Sequence, residues 1–254
     1  MFDTKETTHR NSLYYGPKRD ILKELFDAAK QYQPQLKRGT YFSLPEWINP
    51  LFGPYGFSQT SDPASTSWPG IIATNPYTGL EEPYTGALPQ EDFIADLMVP
   101  QMEILAYDYE TDILWCDCGA ANGTAEFAAS WFNEAASQGR QVTINNRCGI
   151  GYSDFDTPEY TTFSSVSERK WESNEGLDPY SYGYNRATPA SLYMNASTLV
   201  NALVDMVSKN GNLLLDFGPK EDGTIDATEV AHLLEAGLWT CCKTLTISGV
   251  CFSC

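Results

Sequence analysis

The stretch Thr111-Asp-Ile-Leu-Trp-Cys-Asp-Cys-Gly119 decides how the rest of the chain is read. A short apolar run, Ile113 and Leu114, leads straight into an aromatic, a carboxylate and a glycine. In parallel α/β folds the chemistry lies beyond the carboxyl ends of the strands, so an acid at such a strand end is a placed acid. Position alone leaves Asp117 two roles, catalyst or cap of the helix predicted to begin near Asn122.

Working outward, the spacing of Ala128, Trp131, Phe132 and Ala135 predicts a helix over 124–137, closed by Gly139 as a C-terminal cap. A strand over 141–147 follows and ends on Arg147. Upstream, Ile21, Leu22, Leu25, Ala28 and Ala29 form a helical stripe within 18–30, and 37–43 reads as a strand with two aromatics, Tyr41 and Phe42. The segment 49–89 is dense in Gly, Pro, Ser, Tyr and Trp without periodicity, as a long loop over an active site would be. A long helix over 90–110 is kinked at Pro100.

Downstream come a carboxylate-rich loop over 154–160, a short strand at Lys170-Trp171-Glu172, and a helical stripe of Leu199, Ala202, Leu203, Met206 and Val207. A buried strand over 211–219 and a helix over 226–238 complete the pattern. Strands and helices alternate, which predicts βα units on a parallel sheet.

The 254 residues suffice for one sizeable core. Sixteen basic against thirty-three acidic residues give a net charge of −17, which repels phosphate backbones and argues against a nucleic-acid partner. No apolar run is long enough for a membrane span, and the first residues do not form a signal peptide. Seven cysteines leave at least one outside any intramolecular pairing, and Cys116 and Cys118 are too close for ordinary zinc-ligand spacing, so no metal is expected. Asn122-Gly-Thr124 and Asn195-Ala-Ser197 have the form of glycosylation acceptors.

Cleaving a glycosidic bond needs two carboxyl groups flanking the anomeric carbon, one acting as nucleophile or base and the other as an acid. Asp117 and Glu159 are delivered by successive βα units. The only histidines are His9 and His232, the latter inside a predicted helix, so a Ser-His or Cys-His mechanism has no good base. Gly149 and Gly151 follow Arg147 without the helix start that a phosphate-cradling loop would feed.

The ordered set Asp112-Ile-Leu-Trp-Cys-Asp117, Asn146-Arg147, Thr157-Pro-Glu159-Tyr160, Trp171-Glu172, Tyr182-Gly-Tyr184-Asn185-Arg186, Ser208-Lys-Asn-Gly-Asn-Leu-Leu-Leu215 and Gly218-Pro-Lys-x-Asp222-Gly223 closely resembles family 29 glycoside hydrolases, the α-L-fucosidases. The resemblance runs over about residues 1–237. It implies a (β/α)8-like TIM barrel and a retaining hydrolysis of terminal α-L-fucosyl linkages. In that scheme Asp117 is the nucleophile of a covalent glycosyl-enzyme and Glu159 the acid/base, their carboxyl groups about 5 to 5.5 Å apart. It further implies that Trp115 and Tyr41 contact the sugar, Arg147 binds it, and Tyr182 lines the pocket beneath the fucose methyl. The substrate would be a fucosylated oligosaccharide or glycoprotein, without a cofactor. The implied setting is a glycoprotein enzyme, extracellular or in the secretory pathway.

Departures accompany the resemblance. The family's paired fucose-binding histidines lie upstream of the stretch matching Phe2-Asp3-Thr4-Lys5, so the expectation is an incomplete barrel over 1–238 with its first strands missing. Residues 239–254 form a divergent tail outside the family pattern. An α-L-fucosidase is therefore expected. The alternatives are an inactive fragment, a non-catalytic fucose-binding protein, or a barrel glycosidase acting on another sugar.

Overall fold

A computed structural model describes residues 1–46, 52, 75, 77–80, 86–119 and 122–242. It divides into two compact units, Met1–Asp154 and Phe155–Cys254. Most of the loop expected over 49–89, and the end of the divergent tail, lie outside the described residues.

In the first unit, helix α1 (Ile21–Tyr32) leads to strand β1 (Gly39–Ser43). Asp20 caps α1 by accepting from the Lys23 amide at 3.0 Å, and Lys30 lies in the last turn, where a cation complements the helix dipole. The face turned to the core is Leu22 and Phe26, whereas Leu25, assigned to that stripe from sequence, is 56% exposed. The spacing i, i+4 decides the face here.

The helix expected over 90–110 is three pieces: a π-helical segment Ile94–Met98, helix α2 (Val99–Glu103) and a second π-helical segment Ile104–Asp108. Pro100 sits where the first π-helical segment passes into α2, and the wide turns on either side absorb the expected kink.

Strand β2 (Ile113–Asp117) and helix α3 (Thr124–Ser137) follow. Helix α3 ends as expected: Gly139 has φ 68°, the Gly139 amide donates to Ala136 and the Arg140 amide to Ala135. This is a Schellman closure that needs the left-handed glycine. Strand β3 (Thr143–Ile144) is shorter than the sequence pattern predicts, and Arg147 falls in a 3-10 turn, Asn146–Cys148.

The three strands form a parallel sheet in the order β1-β2-β3, with Tyr41 opposite Trp115 and Ser43 opposite Asp117. Leu114, Cys116, Phe42 and Ile144 point into a core shared with Met98, Met102, Leu105, Phe127 and Trp131. Tyr41, Trp115 and Asp117 fall on the other face, as the two-residue side-chain period of a strand requires.

The second unit pairs strand β4 (Trp171–Gly176) with strand β5 (Gly211–Asp216), also in parallel, with helix α4 (Ala196–Ser208) as the crossover between them. Two further parallel bridges, Asp156 to Trp171 and Glu159 to Asn174, lay the segment before β4 along its free side. Leu177, Ala196, Leu199 and Ala236 form the core. The strand expected to be buried is only partly so, with Leu214 44% exposed. Helix α5 (Ala227–Cys242) carries His232, whose Nδ1 lies 3.0 Å from the Met194 carbonyl, a structural role.

Candidate active site

Four of the six residues singled out from sequence meet at the carboxyl ends of β1, β2 and β3. Asp117 ends β2, and each of its carboxylate oxygens has a donor. Tyr41, from β1, gives its hydroxyl to Oδ2 at 2.7 Å. Arg147, from the turn after β3, gives Nη1 to Oδ1 at 2.7 Å. The Cys118 amide is a third donor to the same carboxylate.

Burial pushes the Asp117 carboxyl up, but the hydrogen bonds from Tyr41, Arg147 and the Cys118 amide, with the Arg147 charge, outweigh it and hold the group below the usual carboxylate range. Asp117 is therefore an ionised carboxylate at neutral pH. Burial raises the Tyr41 hydroxyl, and the Asp117 carboxylate raises it further, so it remains a donor. Cys118 is raised by burial and by the adjacent carboxylate, which keeps it a thiol rather than a nucleophilic thiolate.

Trp115 completes the group. Tyr41 stacks on it with ring centroids 5.6 Å apart and planes 21° off parallel, and the Arg147 guanidinium lies 4.9 Å from its ring centre. The three side chains form an aromatic and cationic layer beside the carboxylate, and Tyr41 remains 59% exposed. An aromatic face next to an anionic oxygen suits a sugar, which has an apolar face and a reactive carbon.

Asp117 does not cap α3. The N-cap of that helix is Gly123, which makes no side-chain cap. Of the two roles left open by position, the cap is the one that Asp117 does not take.

Glu159 and Tyr182 lie in the second unit, joined through one residue of β4. The Glu159 backbone bridges Asn174, the Tyr160 amide donates to the Asn174 carbonyl at 3.1 Å, and the Tyr182 hydroxyl donates to Asn174 Oδ1 at 2.6 Å. The Tyr160 and Tyr182 rings pack 5.5 Å apart, and Gly176 donates its amide to the Tyr160 hydroxyl at 3.2 Å. No side chain fits at Gly176, because a Cβ there would stand 2.7 Å from the Asp178 carbonyl. Glu159 itself is exposed.

Both acids are followed by a residue of positive φ, Cys118 at 65° and Tyr160 at 46°. Non-glycine residues enter that region at an energetic cost, and such strain concentrates at functional sites.

Sequence reasoning missed two features. Cys116 and Cys148 form a buried disulfide, each half one residue from a site residue, Asp117 and Arg147. Asn145 is fully buried and bonds the backbone of Cys116. A hidden asparagine at the end of a core strand was the available signal; an odd cysteine count gave no pairing. Among the described residues no group of three or more His, Cys, Asp or Glu is arranged to hold a metal ion, and no helix is long and apolar enough to cross a membrane.

The chain matches the family model described as alpha-L-fucosidase over residues 1–243. It is 31% identical to human plasma alpha-L-fucosidase over 243 residues, covering 90% of this chain and 45% of that one. With the alpha-L-fucosidase of Dictyostelium discoideum it shares 29% over 260 residues, 98% of this chain and 50% of the relative. Among solved structures, Thermotoga maritima alpha-fucosidase in complex with a mechanism-based inhibitor superimposes with a TM-score of 0.64 at 31% identity, over 92% of this chain and 48% of that one. The same enzyme in complex with fucose gives a TM-score of 0.63 at 30% identity. The chain spans about half the length of the curated relatives it matches.

Proposed function

The chain belongs to the alpha-L-fucosidase family, and from that premise we propose that it carries the catalytic segment of a retaining α-L-fucosidase. Asp117 attacks the anomeric carbon, the bond from that carbon to the leaving oxygen breaks, and Glu159 gives that oxygen its proton. Water, deprotonated by Glu159, then displaces Asp117 and releases fucose. The observation that carries this reading is the Asp117 constellation, a carboxylate kept ionised by Tyr41 and Arg147 beside the Trp115 ring.

Each residue has a physical task in this scheme. Tyr41 and Trp115 offer ring surface to the sugar, and Arg147 both charges the site and donates to a hydroxyl. Tyr182, fixed by Asn174, lines the pocket wall under the fucose methyl. The parallel strands read as successive spokes of a (β/α)8-like barrel over 1–238, with 239–254 as a divergent tail. The substrate is a fucosylated oligosaccharide or glycoprotein. The Cys116–Cys148 disulfide suits an oxidising compartment, in keeping with an extracellular or secretory setting.

The test is turnover of an aryl α-L-fucoside by the chain and by Asp117→Gly with and without azide. The proposal expects a loss of about a thousandfold or more on removing the nucleophile, and recovery with azide through a fucosyl azide of inverted configuration. Turnover that survives Asp117→Gly undiminished, or no turnover in the unaltered chain, overturns it; in the second case fucose binding by calorimetry identifies a binding protein.

A further inference from the structure

β2 is paired with β1 along all five of its residues but with β3 over only two, Ile113 with Thr143 and Leu114 with Ile144. The Asn145 amide makes a last bond of 3.4 Å to the Leu114 carbonyl, and there the ladder on this side stops. The next groups of β2 on that side are the N–H and C=O of Cys116, a residue with no exposed surface. Left unpaired in the core, they would oppose folding and loosen the end of the strand that carries Asp117.

The Asn145 side chain takes both. Its Oδ1 accepts from the Cys116 amide at 2.9 Å, and its Nδ2 donates to the Cys116 carbonyl at 3.0 Å. A primary carboxamide has one acceptor and donors in the arrangement of a peptide group, so a side chain here stands in for the backbone of a strand. The backbone is thereby released from the sheet. It turns at Asn146–Cys148, and the turn carries Arg147 to Asp117 Oδ1 while the disulfide ties Cys148 back to Cys116.

We propose that Asn145 is a positioning residue: by replacing the missing ladder at Cys116 it holds the end of β2 and the Arg147 turn in the register that sets the Arg147–Asp117 contact. Its effect reaches the reaction through those two side chains and rests on the functional reading above only for what the contact is used for. Leu at this place removes both hydrogen bonds at similar volume. Asp keeps the acceptor and loses the donor. The groups facing Asp117 are Tyr41 from β1, Arg147 from the turn and the neighbouring Cys118; Asn145→Leu replaces none of them and adds no charge, whereas Asn145→Asp adds a carboxylate.

The test follows the Asp117 carboxyl by ¹³C NMR titration in the full chain, unaltered and as Asn145→Leu and Asn145→Asp, with aryl fucoside kinetics on the same samples. Asn145→Leu should move the Asp117 midpoint upward, toward the free carboxylate value, and lower kcat/KM at least tenfold with its acid limb moved in the same direction; Asn145→Asp, which leaves the Cys116 carbonyl without a donor and adds a carboxylate nearby, should shift the midpoint in the same direction. An Asp117 titration unchanged in folded Asn145→Leu overturns the proposal. If neither variant folds, hydrogen exchange of the Asn145 side-chain amide in the unaltered protein decides: strong protection supports the clamp and free exchange overturns it. Because the titration needs no turnover, an unaltered chain without fucosidase activity would count against the functional reading alone.

Discussion

Arg147 Nη1 meets Asp117 Oδ1 at 2.7 Å, and both side chains are largely withdrawn from water, 23% and 18% exposed. The pair joins the end of β2 to the turn after β3, and against the opposing effect of burial the Tyr41 hydroxyl, Arg147 and the Cys118 amide together hold the Asp117 carboxyl below the usual range. The folded protein therefore releases this proton more readily than the unfolded chain does. The corresponding stability is in place above about pH 4, the free aspartate value, and disappears as pH falls through the lower folded value. The acid limb of kcat/KM should lie below about pH 4. Arg147→Lys loses the planar fork and should move that limb upward, with kcat/KM reduced about tenfold or more; a pH–rate profile of the two proteins checks it.

Tyr41→Phe removes one hydrogen bond to the same carboxylate and leaves the ring against Trp115. A bond to a charged group contributes about 1.5–3 kcal/mol, so a fall in kcat/KM of about tenfold to a hundredfold is expected. Because Tyr41 is 59% exposed, thermal stability should hardly change, and a melting curve beside the kinetics separates the two effects.

Glu159 acts on the leaving oxygen in the proposed scheme, so its removal should depend on what leaves. With Glu159→Ala, an aryl fucoside whose phenol is strongly acidic needs no proton and should still fucosylate Asp117, whereas an oligosaccharide should lose about a hundredfold or more. A rapid burst of phenol followed by slow turnover is the expected trace, because the second step has lost its base. Equal losses on both substrates would remove Glu159 from this role.

How much of this was legible in the sequence depends on how local each feature is. Asp117 stood out because strand, acid and glycine follow one another within a few residues, and α3 because its stripe and Gly139 obey helical period and cap chemistry. The depth of Leu25 and Leu214 was misread, since periodicity proposes a face but neighbouring elements decide what covers it. β3 was overestimated for a different reason. Its pattern continues through Asn145, Asn146 and Arg147, but a side-chain carboxamide replaces the ladder and the backbone turns away. The disulfide joins cysteines 32 residues apart, a pairing that only the register of β2 against β3 brings about.

That disulfide closes a loop long enough to stabilise by about 3–4 kcal/mol on the chain-entropy account. The double change Cys116→Ser and Cys148→Ser should lower stability by roughly that much, with an added penalty because both positions have no exposed surface and the new hydroxyls lie in the core. Reduction of the unaltered protein should produce most of the same loss and be reversible on reoxidation. Denaturant melts under oxidising and reducing conditions measure it, and equal midpoints would show that the core holds this corner without the bond.

Glu229 supplies a test of stability away from the active site. It is three residues after Asp226, and its carboxylate accepts from the Asp226 amide while Asp226 accepts from the Thr228 amide at 2.9 Å, so the two acids cap the start of α5. Glu229 is only 2% exposed and its Oε2 has no hydrogen-bond partner among the described residues. Burial, with the charges of Asp226, Asp178 and Asp216, holds its carboxyl above the usual range. The native state therefore binds this proton more tightly than the unfolded chain, so stability is lost as pH rises from about 4.3, the free glutamate value, through the raised folded value. Glu229→Gln keeps the capping acceptor, removes the buried charge and offers a donor toward those acids. It should raise stability at pH 7 by about 1 kcal/mol, or roughly 2–4 °C in Tm, and the gain should vanish near pH 4, where both side chains are neutral. Melting curves of the two proteins across that range decide the matter: a variant less stable at pH 7 would mean that the second oxygen of Glu229 is satisfied in solution, and that its charge contributes to the fold.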